Sequence, residues 1–195
     1  MAVTRVETRK SLLDSARRIV AVKGYAAVGI NEVLAEAGVP KGSFYHWFSS
    51  KDAFGEAMME AYFDEYLTTM DAIVADKSKS SAEHLMRYWQ NFYDLQAVND
   101  CQGGCLVVKL GAEIADLSEA MRTTTKVGTT AIIDRLEQMI TDGVADGSVS
   151  VDDSPRATGE TLYNLWLGAS MMAKVHRSPA YLDNAMTVTR HILHI

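Results

Sequence analysis

Two thiols and one short aromatic string are the parts of this chain that could do chemistry. Cys105 follows Gly103-Gly104 and stands at the predicted start of a helix over 104–115, where unpaired N–H groups and the helix dipole favour a thiolate. Lys109 comes one turn later and could share that face. Lys174 falls in an otherwise apolar helical run of Leu162, Leu165, Trp166, Leu167, Met171, Met172 and Val175. A lysine in such a run either snorkels to solvent or points at a partner. A thiolate beside an ammonium is activated toward quinones, enals or hypohalous oxidants. The alternative is that Cys105 is a small buried hydrophobe. For Cys101, in a predicted loop, that plainer role is preferred over one as a resolving thiol. Glu113 and Asp116 are expected to be solvated or salt-bridged.

The second feature is Val39–Lys51, with the sequence VPKGSFYHWFSSK. A helix-turn-helix needs two short helices, a turn, and outward residues on the second helix that can reach a groove. Gly38-Val39 supplies the turn and Pro40 suits the start of a helix. Lys41, Gly42, Ser43, Tyr45 and His46 then fall near its N-terminal end or outward side. Gly42 allows close backbone approach, Ser43 can bond a base edge or phosphate, and Tyr45 offers a ring and a hydroxyl. Lys41 and Lys51 neutralise phosphates. Phe44, Trp47 and Phe48 are expected to turn inward.

This string, with Gly24-Tyr25 upstream, resembles the TetR family of bacterial repressors over about residues 8–58. Gly38-Val39, Gly42, Phe44-Tyr45, Phe48 and Lys51 match the family pattern in order. Gly29 departs from it, standing where many relatives carry Ser or Thr to cap the second helix and touch phosphate. The segments Gly104–Glu113 (GCLVVKLGAE), Asp116–Arg122, Leu165–Ala169 (LWLGA), Ala173-Lys174 and Arg177-Ser178 resemble the N-ethylmaleimide-reductase repressor branch, close to the acrylate-responsive repressors. The resemblance implies a homodimer that senses electrophiles or oxidants through the cysteine matching Cys105.

Helices must position these groups. Apolar residues at i, i+4, i+7 and i+8 spacing predict a helix over 8–23, with Leu12, Leu13, Ala16, Ile19, Val20 and Val22 inward and Gly24 as its stop. Further helices are expected at 30–37, after Pro40, and at 51–76, the last capped by Ser49-Ser50. Beyond the polar break at 76–81 they follow at 81–98, 104–115, 118–146, 155–176 and 179–193. The fold class is therefore all-α with about nine helices. A three-helix DNA-binding head over 1–51 precedes an effector-sensing and dimerisation domain over 52–195. Tyr181, Ala185, Val188 and Ile192, extended by Leu182, Met186 and Leu193, form the expected dimer stripe. A two-fold dimer implies a palindromic operator. Met86, Trp89, Tyr93, Met121, Tyr163, Trp166, Met171 and Met172 are expected mainly in the core, some lining a pocket.

The 195 residues are 48% hydrophobic, enough for a core without staples. The net charge of −6 hides an asymmetry: residues 1–51 hold eight Lys/Arg, Arg5 among them, against four acids, and the remainder is strongly acidic. No run reaches the ~20 apolar residues of a membrane span. No signal-peptide pattern opens the chain, so a cytoplasmic protein without a membrane partner is expected. The two cysteines and His84, His176, His191 and His194 lack zinc-finger spacing, and no metal or other cofactor is expected. No paired nucleophile and base or phosphate-cradling loop points to an enzyme, and no catalytic residues are assigned. The function expected is repression relieved when an electrophile or oxidant acts at Cys105. The alternative is relief by a small apolar ligand held non-covalently, with Cys105 only a pocket wall.

Overall fold

The computed structural model describes residues 5–195, and side chains from Glu7 onward. Met1–Thr4 and the side chain of Arg5, counted above in the basic head, lie outside the described residues. Among the described residues nine α-helices run in chain order: α1 Arg5–Lys23, α2 Ile30–Ala37, α3 Lys41–Trp47, α4 Lys51–Val74, α5 Ser81–Cys101, α6 Leu106–Leu117, α7 Glu119–Asp146, α8 Pro155–His176 and α9 Ala180–Leu193.

The packing divides the chain into two compact units that do not follow a cut at residue 51. One holds residues 1–65 and 109–128, and the other holds 66–108 and 129–195. The first therefore combines the three-helix head with part of α4, most of α6 and the start of α7.

In this first unit α1 buries Leu12, Leu13, Ala16 and Val20. Val22, expected inward, is 75% exposed. Two residues past Val20 the helix has turned about 200°, which carries Val22 to the opposite face. Gly24 ends α1 at φ +82, its N–H on the Val20 carbonyl at 2.9 Å. A paired stop closes α2: Gly38 is left-handed at φ +66 and donates to the Ala35 carbonyl, while Val39 donates to that of Leu34. This is the arrangement in which glycine carries no Cβ penalty. Pro40 sits one residue before α3 as its extended N-cap. Ser50 Oγ accepts from Ala53 N at 3.0 Å at the start of α4. Gly128 of α7 leaves room for the Phe63 ring, which a Cβ there would enter.

The second unit is built around two indoles. Trp89 of α5 and Trp166 of α8 are fully buried and stacked, 5.1 Å apart at an interplanar angle of 9°. Trp166 Nε1 donates to Thr189 Oγ1 at 2.8 Å, tying α8 to α9. A reciprocal capping box, Ser80 with Glu83, starts α5. Regular helix ends near residue 97, as expected. Val98 is then extended, and Asn99, Asp100 and Cys101 are all left-handed, with φ of 49°, 57° and 60°. This turn carries Cys101 inside. Met171, expected in the core, is 54% exposed on α8. The face of α9 that packs inward is Leu182, Ala185, Thr189 and Leu193. Of the expected dimer stripe, Tyr181, Val188, Ile192 and Met186 are half-buried and Ala185 lies inside.

Gly29 caps α2 with extended backbone (φ −91°) and no side-chain bond, and a Cβ there would meet nothing within 4 Å. Gly29→Ser should therefore stabilise the protein by about 0.5 kcal/mol, read from thermal unfolding. Gly128→Ala should destabilise it by about 1–3 kcal/mol, because the Phe63 ring must move.

Candidate nucleic-acid interface and cysteine site

The head is held by an aromatic cluster. Phe44 of α3 and Phe48, which caps its C-terminus, meet Phe54 of α4 at centroid distances of 5.0 and 4.8 Å, and all three rings are buried. Because these anchors occupy one side of α3, the residues between them must face outward. Lys41, Gly42 and His46 are exposed, Tyr45 is 57% exposed and Ser43 is half-buried. Trp47, expected inside, is half-buried with its ring 5.1 Å from that of His46. The five α3 residues picked from sequence thus share one short helix.

Lys51 behaves differently. Its ammonium lies 5.0 Å from the Tyr25 ring centroid and donates to the Ala26 carbonyl at 3.3 Å. The Tyr25 hydroxyl in turn donates to the Lys51 carbonyl. Burial is the main cause that pushes the Tyr25 phenol well above its ordinary pKa, followed by the charge of Asp52. The basic residues of α1 are also engaged: Lys10 with Asp14, Arg17 with Glu65, Arg18 with Glu36 and Lys23 with Glu32. Arg9 sits over the Phe48 ring at 5.7 Å. Four of the eight basic residues of the head are thus paired, three of them with acids already set against them in the sequence count and Arg17 with Glu65 beyond it.

Cys105 occupies the position immediately before α6, one residue earlier than the helix itself and 2% exposed. The expected helix start at 104 therefore moves to Leu106. Just before it, at Gly103, a Cβ would fall 2.5 Å from the Gln96 Cα, so the chain passes α5 too closely for any side chain there. Cys101 is 4% exposed. Lys109 does not stand as a free ammonium on α6. It donates to the Val22 carbonyl at 3.1 Å, at the end of α1. Lys174 is half-buried in the last turn of α8, in the same unit as Cys105.

Sequence reasoning did not connect two tyrosines to this cysteine. Tyr88 and Tyr163 are 3% exposed, and burial drives both phenols far above their ordinary pKa. For Tyr163 the next cause is the charge of Cys105. For Tyr88 it is a hydrogen bond with Tyr66, which lowers the pKa, and then Cys105. Tyr88 and Tyr66 share their hydroxyls at 2.9 Å. Tyr88 also lines a cavity of about 420 Å³ with Tyr66, Met70, Ile73, Phe92 and Leu95 among its walls. Spacing of aromatics along two helices carries no trace of such convergence. Among the described residues no three His, Cys, Asp or Glu side chains cluster as a metal site requires, and no helix is long and apolar enough to cross a membrane.

The unfolded chain releases these phenolic protons near pH 10, and the folded chain holds them more tightly. Their contribution to stability is therefore complete below about pH 10 and declines above it. Phenolate absorbance from Tyr88 and Tyr163 should appear only together with loss of helical dichroism. Full ionisation of all the tyrosines in folded protein would contradict this.

Residues 12–58 match the family model for bacterial regulatory proteins of the tetR family, and residues 81–189 match that for the tetracyclin repressor-like C-terminal domain. The chain is 34% identical over 190 residues to the HTH-type transcriptional repressor NemR of Escherichia coli, covering 97% of this chain and 96% of that one. It is 32% identical to the transcriptional regulator AcuR of Cereibacter sphaeroides, over 94% of this chain and 84% of that one. The crystal structure of the reduced form of E. coli NemR superimposes with a TM-score of 0.91 at 35% identity, covering 96% of this chain and 97% of that one. The fold and these relatives are those of transcriptional regulators and not of enzymes, and the chain belongs to the tetR family of bacterial regulatory proteins.

Proposed function

We propose that this protein is a cytoplasmic, homodimeric repressor that leaves a palindromic operator when an electrophile or oxidant modifies Cys105. The observation that carries the reading is the position of that thiol, enclosed beside two protonated phenols and one residue ahead of α6. A group added there has no empty solvent to occupy, so the surrounding helices must give way. Two states of the body that differ in this way bias operator binding without any contact between thiol and DNA. Lys174 supports the reading as a cation in the same unit. The likeness to NemR over nearly the whole chain, and the solution of that relative in a reduced form, point the same way.

On the DNA side, Lys41, Gly42, Ser43, Tyr45 and His46 present α3 to the major groove, and two such helices in a dimer stand about 34–36 Å apart. Lys51 is less available to contact phosphate than Lys41, because its ammonium is engaged by Tyr25 and Ala26. Met171 and Val175 on α8, 54% and 69% exposed, supply apolar surface for the dimer together with Val188 and Ile192 of α9.

A second reading rests on the cavity of about 420 Å³ at Tyr66 and Tyr88. Its size and largely apolar walls suit a small aromatic effector bound without covalent chemistry. In that case thiol-inert aromatic compounds raise the melting temperature of wild type and of Cys105→Ser alike.

Operator binding is to be measured before and after a quinone or hypochlorite. Wild type should lose affinity on treatment, and Cys105→Ser should keep it; a serine variant that responds fully sinks the cysteine mechanism. Lys41→Ala should weaken binding and flatten its salt dependence by about one unit of slope. Tyr45→Ala should weaken it with less change in slope.

A further inference from the structure

The turn between α1 and α2 is gripped on one side by α6. Glu113 of α6 accepts the backbone N–H of Tyr25 on Oε2 at 3.2 Å and that of Ala26 on Oε1 at 2.6 Å. One turn earlier on α6, Lys109 donates to the Val22 carbonyl at 3.1 Å. A cation thus meets a carbonyl at the negative end of the α1 dipole, and a carboxylate meets the two amides that follow. Gly24 makes room for the grip. A Cβ on it would fall 2.9 Å from Glu113 Oε2, and its φ of +82° is one that other residues avoid. From the other side Lys51 holds the same turn through the Ala26 carbonyl and the Tyr25 ring. The turn precedes α2, and α2 packs against α3, so its position sets where α3 presents Lys41 to Tyr45.

We propose that Lys109 and Glu113 form a two-ended clamp that positions the helix-turn-helix, and that operator affinity depends on the clamp being closed. Neither side chain touches DNA; both are positioning residues. The inference rests on the operator-binding reading above for its functional readout. It extends that reading by naming the contacts through which any displacement of α6 reaches the head.

The test uses the full chain and a duplex that the wild-type protein selects from a randomised pool. Glu113→Gln and Lys109→Met should each weaken binding by about tenfold or more. Lys109→Arg, which keeps a donor to the Val22 carbonyl, should restore most of the loss. The slope of log affinity against log salt should stay at the wild-type value, because no phosphate contact has been removed. Melting temperatures within about 4 °C of wild type show that folding is intact. Amide hydrogen exchange at Tyr25 and Ala26 should speed up in Glu113→Gln, reporting the clamp directly. Unchanged exchange at these amides overturns the clamp, and so does unchanged or tighter operator binding by Glu113→Gln in the presence of a binding wild type. A wild-type protein that selects no duplex overturns the operator reading itself, and this proposal with it.

Discussion

A buried or half-buried peptide group must find a partner, and at the end of a helix several have none within the ladder. The α1–α2 turn ends one helix and approaches the start of another within six residues, Gly24 to Gly29, and the demand is strict at Tyr25, which is buried, while Val22 and Ala26 are exposed residues whose groups water can also reach. Val22 has a free carbonyl, and Tyr25 and Ala26 have free amides. No side chain close in sequence satisfies them. The lysine and glutamate of α6 do, from partners 87 and 88 residues away for the two amides. Once those bonds are made, Gly24 must lack a side chain, Tyr25 is turned inward, and its hydroxyl meets the first carbonyl of α4. The remaining geometry of the head follows from anchoring α3 through Phe44 and Phe48.

In the other unit the organising element is apolar. The Trp89–Trp166 stack joins α5 to α8, and the Trp166 N–H joins α8 to α9 through Thr189. A ring pair of this size leaves little freedom to neighbours, since interior packing is as dense as in organic crystals. Cys105 sits within the same unit beside the phenols of Tyr88 and Tyr163. On the sensing reading proposed above, a thiol in such a place would report modification by steric conflict as much as by charge. Gain of one oxygen or one adduct group is a volume change that a loose surface loop would absorb without consequence.

Much of the head was legible in the sequence because its signals are local. Gly24, Gly38, Pro40 and Ser50 each mark a boundary for a stereochemical reason that acts within a few residues, and each does so here. Apolar periodicity placed Leu12, Ala16, Val20, Phe44 and Phe48 inside. It erred at Val22, where a count of apolar residues outran the angular width of the face. The burial of Cys101 had only a partial signal. Asn and Asp tolerate left-handed backbone, so Asn99-Asp100 permits the turn, but nothing in their order says which way the next residue is carried. The grip of Glu113 on Tyr25 and Ala26 left no local trace, and a carboxylate on a helix reads as a solvated one. The tyrosines around Cys105 were hidden for the same reason.

Charge shows how composition and geometry part company. A head with eight basic residues against four acids looks like an electrostatic footprint for DNA. In the structure Arg17, Arg18 and Lys23 each face an acid on another element or loop, Lys10 faces Asp14, and Lys51 is held by an aromatic ring and a carbonyl. These pairs are largely exposed, so each adds little stability. On the operator-binding reading proposed above, attraction to phosphate falls mainly to the α3 side, where Lys41 stands exposed beside Gly42. On that reading, phosphate contacts position the head and the seating of α3 in the groove carries the discrimination. Seating is a matter of helix position to a fraction of an ångström, which side chains that never meet the DNA can control.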